Sequence, residues 1–238
     1  MRNVAIAAVL FLALVVIVLV GRSPQTDGGF GPPPTVKAGK APPLPKAGPL
    51  AAPRPLNQIG LPKGLTASAV PPGNPVTPAA VALGEKLFFD SRLSGDRTVS
   101  CATCHNPVRG FTDGRPTSIG IRGCVGQRNA PTVLNAMYNK TQFWDGRVDT
   151  LEQQAALPIT NPCEMGSATL AAATSNIAGD KDYQRRFLSA YRHAPNAEDM
   201  VRALATYERA LPSFASPFDR FMAGDGKALS ASAQRGWK

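Results

Sequence analysis

The pentapeptide Cys101-Ala102-Thr103-Cys104-His105 decides how the rest of the chain is read. Two thiols three positions apart, with an imidazole directly after them, form the attachment sequence for c-type haem. Each thiol adds to one vinyl group of the porphyrin, and His105 is thereby held under the iron as its proximal ligand. The motif has two rivals. As half of a zinc site it lacks a second ligand pair, since no other CxxC or HxxxH occurs in the chain. As a redox dithiol it would belong in a βαβ setting, and its flanks read as helix and loop.

On the N-terminal side of the motif, Thr77-Pro78 opens a helix, with Thr77 as cap and Pro78 at the first helical position. That helix runs to Phe89 and turns Val81, Leu83, Leu87 and Phe88 to one side. On the C-terminal side comes Asn106-Pro107 and a long Gly-rich loop from Gly110 to Gly126, which a haem face would order. Thr150 caps a short helix with Gln153 at its N3 position. This helix carries Glu152, Gln153 and Gln154 and is expected to end near Pro158. Further helices are expected over 168–177, 181–193 and 197–211, the last capped by Asn196. No period-2 strand pattern occurs. The fold class is all-α: a c-type cytochrome-like haem domain with long loops over residues 77–228, preceded by an N-terminal membrane helix and a Pro-rich linker.

Those preceding segments differ in kind. An unbroken apolar run from Val4 to Val20 sits at the lower edge for a membrane span and is long for a signal peptide. No A-x-A cleavage site follows it, which favours an uncleaved anchor over residues 1–22 and leaves a cleaved signal as the alternative. Either assignment exports the rest to the periplasm, where bacterial c-type haem is attached. Residues 23–76 hold most of the 23 prolines and no cysteine, and read as a semi-extended tether without a core. Seven basic side chains (Arg2, Arg22, Lys37, Lys40, Lys46, Arg54 and Lys63) against Asp27 place most of the net charge of +10 in this N-terminal stem. That charge suits anionic lipid or cell-wall polymers, or simple solubility of a linker. It does not argue for nucleic acid.

Three stretches, LGEKLFFDSRLSGDRTVSCATCHNPVRGFTDG from Leu83, RNAPTVLNAMYNKTQFWDGR from Arg128 and LEQQAALPITNPCEMG from Leu151, stand in one order and spacing. Together they resemble the N-terminal haem domain of the bacterial di-haem cytochrome c peroxidase / MauG-like family. The resemblance implies covalent haem c on Cys101 and Cys104, with His105 as proximal ligand of the haem iron. It makes Trp144 the tryptophan between two haems, Gln154 and Glu164 the distal-pocket pair, and Asn129 a ligand of an inter-haem calcium ion. Heterolysis of peroxide needs a proton moved from one oxygen to the leaving oxygen, and a carboxylate such as Glu164 can take and return it. Read without its neighbours, Glu164 would be a solvated loop carboxylate, and Trp144 a core aromatic.

The chain departs from the family in two ways. Many members carry a histidine in the Gly-rich loop that closes the resting iron, and the matching position here is Ile121. The chain has two histidines, His105 and His193. His193 is expected to sit at a helix C-terminus and interact with its dipole, so the iron is expected to be open to peroxide. The second departure is the end of the chain. Residues 229–238 echo Thr77 to Lys86, with a capping hydroxyl, small residues and Gly-x-Lys. They read as the start of a second haem domain in a longer protein, with a single-haem relative as the alternative. The remaining cysteines, Cys124 and Cys163, flank the presumed distal pocket, so a disulfide between them is expected, against two small buried thiols.

The function expected from the resemblance is reduction of hydrogen peroxide to water, with electrons from a small cytochrome or cupredoxin. The alternatives are a MauG-like oxidase acting on a partner protein, and a plain electron carrier whose iron is closed by Met165 or another methionine.

Overall fold

The computed structural model describes residues 70–214 and 216–237. The apolar run and most of the Pro-rich stem therefore lie outside the described residues. Among the described residues no helix is long and apolar enough to cross a membrane.

Two helices make the centre. The first, α1 (Pro78–Phe88), starts where Thr77 Oγ1 accepts from the Ala80 amide at 3.2 Å. A single turn, α2 (Cys101–Cys104), carries the CxxC. Then come α3 (Leu151–Thr160), α4 (Leu170–Ala178), α5 (Lys181–Tyr191) and α6 (Ala197–Arg209), followed by the short α7 (Pro217–Met222) and α8 (Ala231–Trp237). The described residues contain only isolated β-bridges, at Asn106–Thr112, Ile119–Val125 and Gln142–Val148, each closing a loop.

Helix α6 runs through the core, burying Met200, Ala203, Leu204 and Tyr207 against Leu83, Leu87 and Phe88 of α1. The two backbones come so close that a Cβ on Gly84 would run into the Ala203 carbonyl. This contact explains a glycine in a helix interior, where it costs about 1 kcal/mol relative to alanine. Helices α3, α4 and α5 close the remaining sides of α1 and α6.

The structure corrects three expectations. Helix α3 does not stop near Pro158 but continues to Thr160. Proline's fixed φ is helical, and its missing N–H removes only the bond to the Gln154 carbonyl. The Asn161 amide then closes the helix on the Leu157 carbonyl at 3.0 Å. His193 does not sit on the C-terminus of α5. That helix ends at Tyr191, the left-handed Arg192 turns the chain, and His193 Nδ1 meets Asp199 Oδ2 of α6 at 3.0 Å. The stretch expected as linker also contributes to the domain. Asn74 is buried, its amide donating to Glu152 Oε1 at 2.7 Å and to the Arg202 carbonyl at 3.0 Å.

Candidate haem site and distal pocket

The CxxCH segment is shaped before any cofactor is considered. Ser100 and Thr103 form a capping box that starts the single turn of α2. Positions i and i+3 of such a turn share a face, so both thiols project to one side. His105 follows as the C-cap, its amide bonded to the Cys101 carbonyl at 2.9 Å. Its ring is fixed by Nδ1, which lies 3.0 Å from the Pro131 carbonyl and 3.2 Å from the Phe111 carbonyl. Carbonyls only accept, so Nδ1 carries the proton and Nε2 keeps its lone pair. Burial also lowers the His105 pKa, which favours that neutral ring.

Both thiols are unpaired. Burial pushes Cys101 up to about 12 and raises Cys104 as well. A redox dithiol needs the opposite, a depressed pKa that supplies thiolate. The zinc alternative fails too, because no three His, Cys, Asp or Glu side chains converge among the described residues. The donor set fits covalent haem: two protonated thiols on one face, and an imidazole nitrogen free for iron. The buried Ser118 hydroxyl lies beside Cys104, where its hydrogen bond to the sulfur opposes the rise that burial imposes on that thiol. The other side of the His105 ring is set by Phe88, its ring 6.4 Å away.

The two expected distal residues lie on α3 and the loop that leaves it. Gln154 is on α3, half-buried, with no side-chain hydrogen bond to a described residue. Glu164 lies in the exit loop, which folds back onto the end of α3. The Met165 amide bonds the Pro158 carbonyl at 3.1 Å, and the Ser167 amide bonds the Ile159 carbonyl at 2.9 Å. Glu164 is half-buried, not a freely solvated loop carboxylate. Burial raises its pKa, and the Arg147 guanidinium opposes that shift. Asn161 Nδ2 donates to Glu164 Oε1 at 3.0 Å.

The Gly-rich loop is fastened to this exit loop. Ile121, at the position where relatives of the resemblance carry histidine, is buried, and its amide bonds the Glu164 carbonyl at 2.9 Å. Gly120 passes so close to the Cys163 carbonyl that a Cβ would overlap it. Cys124 and Cys163 are joined in a disulfide with Cα atoms 5.2 Å apart, as expected. Replacing both by serine is expected to cost about 2 kcal/mol, because the bond closes a long loop in the unfolded chain. A thermal melt of the variant beside the parent checks this, and an unchanged midpoint would contradict it.

Met165 does not suit the role of closing ligand. It is 4% exposed and packs in the main hydrophobic cluster, while Met137 and Met200 are buried in core clusters as well. Met222 lies on the exposed α7.

Trp144 is not a core aromatic. It is 65% exposed, and its indole Nε1 donates to the Asn129 carbonyl at 2.9 Å. The Asn129 side-chain amide in turn donates to the Arg115 carbonyl. Asp145 bridges Arg128 at 2.8 Å and Arg147 at 2.9 Å, and these partners hold its carboxyl at about 2. Arg147 stacks 3.4 Å over the Phe143 ring. The Trp144 loop therefore reaches the distal site through the charge of Arg147. For calcium, Asn129 offers one side-chain oxygen of the six to eight the ion takes. Among the described residues, these alone do not make a calcium site.

Fold and site define an all-helical domain built to hold haem c. The chain belongs to the di-haem cytochrome c peroxidase family, whose model matches residues 78–227. Its relatives include cytochrome c peroxidase Ccp of Escherichia coli (strain K12), 42% identical over 169 residues that make up 71% of this chain and 36% of that protein. Methylamine utilization protein MauG of Methylorubrum extorquens is 42% identical over 169 residues, 70% of this chain and 48% of that one. Among solved structures, a MauG-like protein associated with microbial copper homeostasis superposes with a TM-score of 0.69 at 35% identity, covering 75% of this chain and 53% of that one. The chain thus spans about a third to a half of the length of the curated relatives it matches.

Sequence reasoning left two residues of the site without a role. Asn161 and Arg147 stood only as members of the quoted LEQQAALPITNPCEMG and RNAPTVLNAMYNKTQFWDGR stretches. The Asn-Pro pair was the available signal, since Asn in such a turn bonds the backbone two residues on.

Proposed function

We propose that this chain carries the peroxide-reducing haem of a periplasmic peroxidase, tethered to the inner membrane by residues 1–22. Hydrogen peroxide, two protons and two electrons become two waters. The electrons come from a small redox protein, a cytochrome c or a cupredoxin. The observation that carries this reading is Glu164: a half-buried carboxyl with a raised pKa, held by one hydrogen bond, just past the helix that bears Gln154. A pure electron carrier has no use for such a group.

When bound, the haem supplies the redox-active iron that passes electrons to the peroxide. Cys101 and Cys104 would tether it through their sulfurs, and His105 would ligate the iron through Nε2. The Nδ1–H bonds to the Phe111 and Pro131 carbonyls orient that ring and strengthen it as a donor. Glu164 accepts a proton from one peroxide oxygen and returns it to the other as that oxygen leaves. The Gln154 amide orients the substrate. In this reading Trp144 passes electrons in from a second haem domain, and its exposure at the surface supports that role.

A second reading is oxidation of a partner protein's side chains, as in MauG. The equal identity to MauG and the likeness to a MauG-like structure favour keeping it. The two differ in what consumes the oxidising equivalents. In the test, ferric haem-loaded protein receives stoichiometric peroxide, with and without a reduced cytochrome. The expected result is a prompt optical change in the haem, reversed as the cytochrome is oxidised. A low-spin spectrum indifferent to peroxide would overturn both readings. An optical change that the cytochrome cannot reverse would favour the second.

A further inference from the structure

Glu164 has three rotatable side-chain bonds and sits in an irregular loop, so something must hold it in one pose. The structure offers one residue that does so. Asn161 closes α3 through its amide, and its main-chain carbonyl accepts from the Glu164 amide at 3.1 Å and the Gly166 amide at 2.8 Å. Its side-chain carbonyl accepts from the Cys163 amide at 2.9 Å. Its side-chain nitrogen donates to Glu164 Oε1 at 3.0 Å. The other carboxylate oxygen, Oε2, accepts no hydrogen bond from a described residue.

We propose that Asn161 is a positioning residue for the peroxide reaction: its side chain bridges the Cys163 peptide and the Glu164 carboxylate, and so presents Oε2 as the one oxygen that exchanges a proton with substrate. The proposal rests on the reading of Glu164 as the acid–base group.

A turn alone would not need asparagine. Aspartate makes the same turn through its own oxygen, bonding the amide two residues on. What aspartate cannot do is donate to Glu164. It would set a second negative charge where the amide now stands. Among the described residues, the Cys104 thiol of α2 lies within electrostatic reach of Glu164, and Arg147 of the neighbouring Trp144 loop favours the ionised carboxylate. Asn161 works in the same direction, because a donor to a carboxylate oxygen stabilises its charged form. The Cys124–Cys163 disulfide anchors the far side of the bridge.

The Asn161→Asp variant separates the two roles, since it keeps the turn and loses the donor. With the haem-loaded full chain, the acid limb of the peroxide-reduction profile should move up by about one pH unit, a tenfold loss on the acid side of the profile that recovers as pH rises. A second readout needs no turnover. Infrared titration of the Glu164 carboxyl band, identified by its absence in Glu164→Gln, should shift in the same direction. Asn161→Ser, which keeps a short acceptor but no donor in reach of Glu164, serves if the aspartate variant does not fold. Donor-deficient variants that overlay the parent in both titrations, while Glu164→Gln is inactive, would overturn the positioning role and leave Glu164 standing. Full activity of Glu164→Gln would overturn the role of Glu164 and the proposal with it.

Discussion

Glu164→Gln should lower peroxide reduction by roughly 10²–10⁴-fold, the usual worth of a positioned general acid–base. The substitution is nearly isosteric, so the Asn161 contact and the fold of the exit loop should survive. Haem attachment should also survive, because Cys101, Cys104 and His105 come from a different segment, held by its own cap and by the Phe111 and Pro131 carbonyls. Loss of turnover with an unchanged haem content is therefore the expected pair of results. The pH dependence of the parent supplies an internal check. Burial raises the Glu164 pKa above its ordinary value of 4.5. The base form is present above the raised pKa and is lost as pH falls through it. The parent's activity should accordingly fall on the acid side at a pH above that of an ordinary glutamate, and this limb should vanish in Glu164→Gln. A variant that turns over like its parent would remove Glu164 from the mechanism.

Much of this site was legible because the chemistry is local. Cys101, Cys104 and His105 lie within one turn, and a spacing of three residues is enough to say that both thiols share a face. The capped starts of α1, α3 and α6 were legible for the same reason, since Thr77, Thr150 and Asn196 each bond an amide within three residues. The misread features depend on partners far away in sequence. His193 looked like a helix-end histidine until the left-handed Arg192 carried it to Asp199. Pro158 looked like a stop because the pattern could not show that the chain would fold back on α3 and reuse its carbonyls. The side-chain bond of Asn161 was invisible for a subtler reason. Asn-Pro predicts a turn through the asparagine oxygen but says nothing of where the amide nitrogen points.

Glu152→Ala should destabilise the domain by about 4 kcal/mol, the cost of stranding one partner of a buried ion pair. Arg209 on α6 is 3% exposed, and its guanidinium meets Glu152 of α3 in a two-point contact, 2.6 Å to Oε1 and 2.8 Å to Oε2. Asn74 donates to the same carboxylate, so one substitution strands two buried donors. For a domain of this size the loss corresponds to a fall of roughly 10 °C in melting temperature. Removing both members, as in Glu152→Ala with Arg209→Met, should recover much of it, because no buried charge is then left alone. Glu208 adds a pH signature. Burial pushes its carboxyl up to about 8, opposed by Arg209 and reinforced by Glu152. Once Glu152 is gone, that repulsion is gone and Arg209 lacks a partner, so Glu208 should ionise at a lower pH than in the parent. The melting deficit of Glu152→Ala should therefore shrink as pH rises from 6 toward 8. The parent pair behaves oppositely at the acid end. Arg209 and Asn74 lower the Glu152 pKa, so its contribution is full above the unfolded value and is lost as pH falls through the lowered one. A Glu152→Ala deficit that is flat from pH 6 to 8 would mean that Glu208 does not answer the stranded charge.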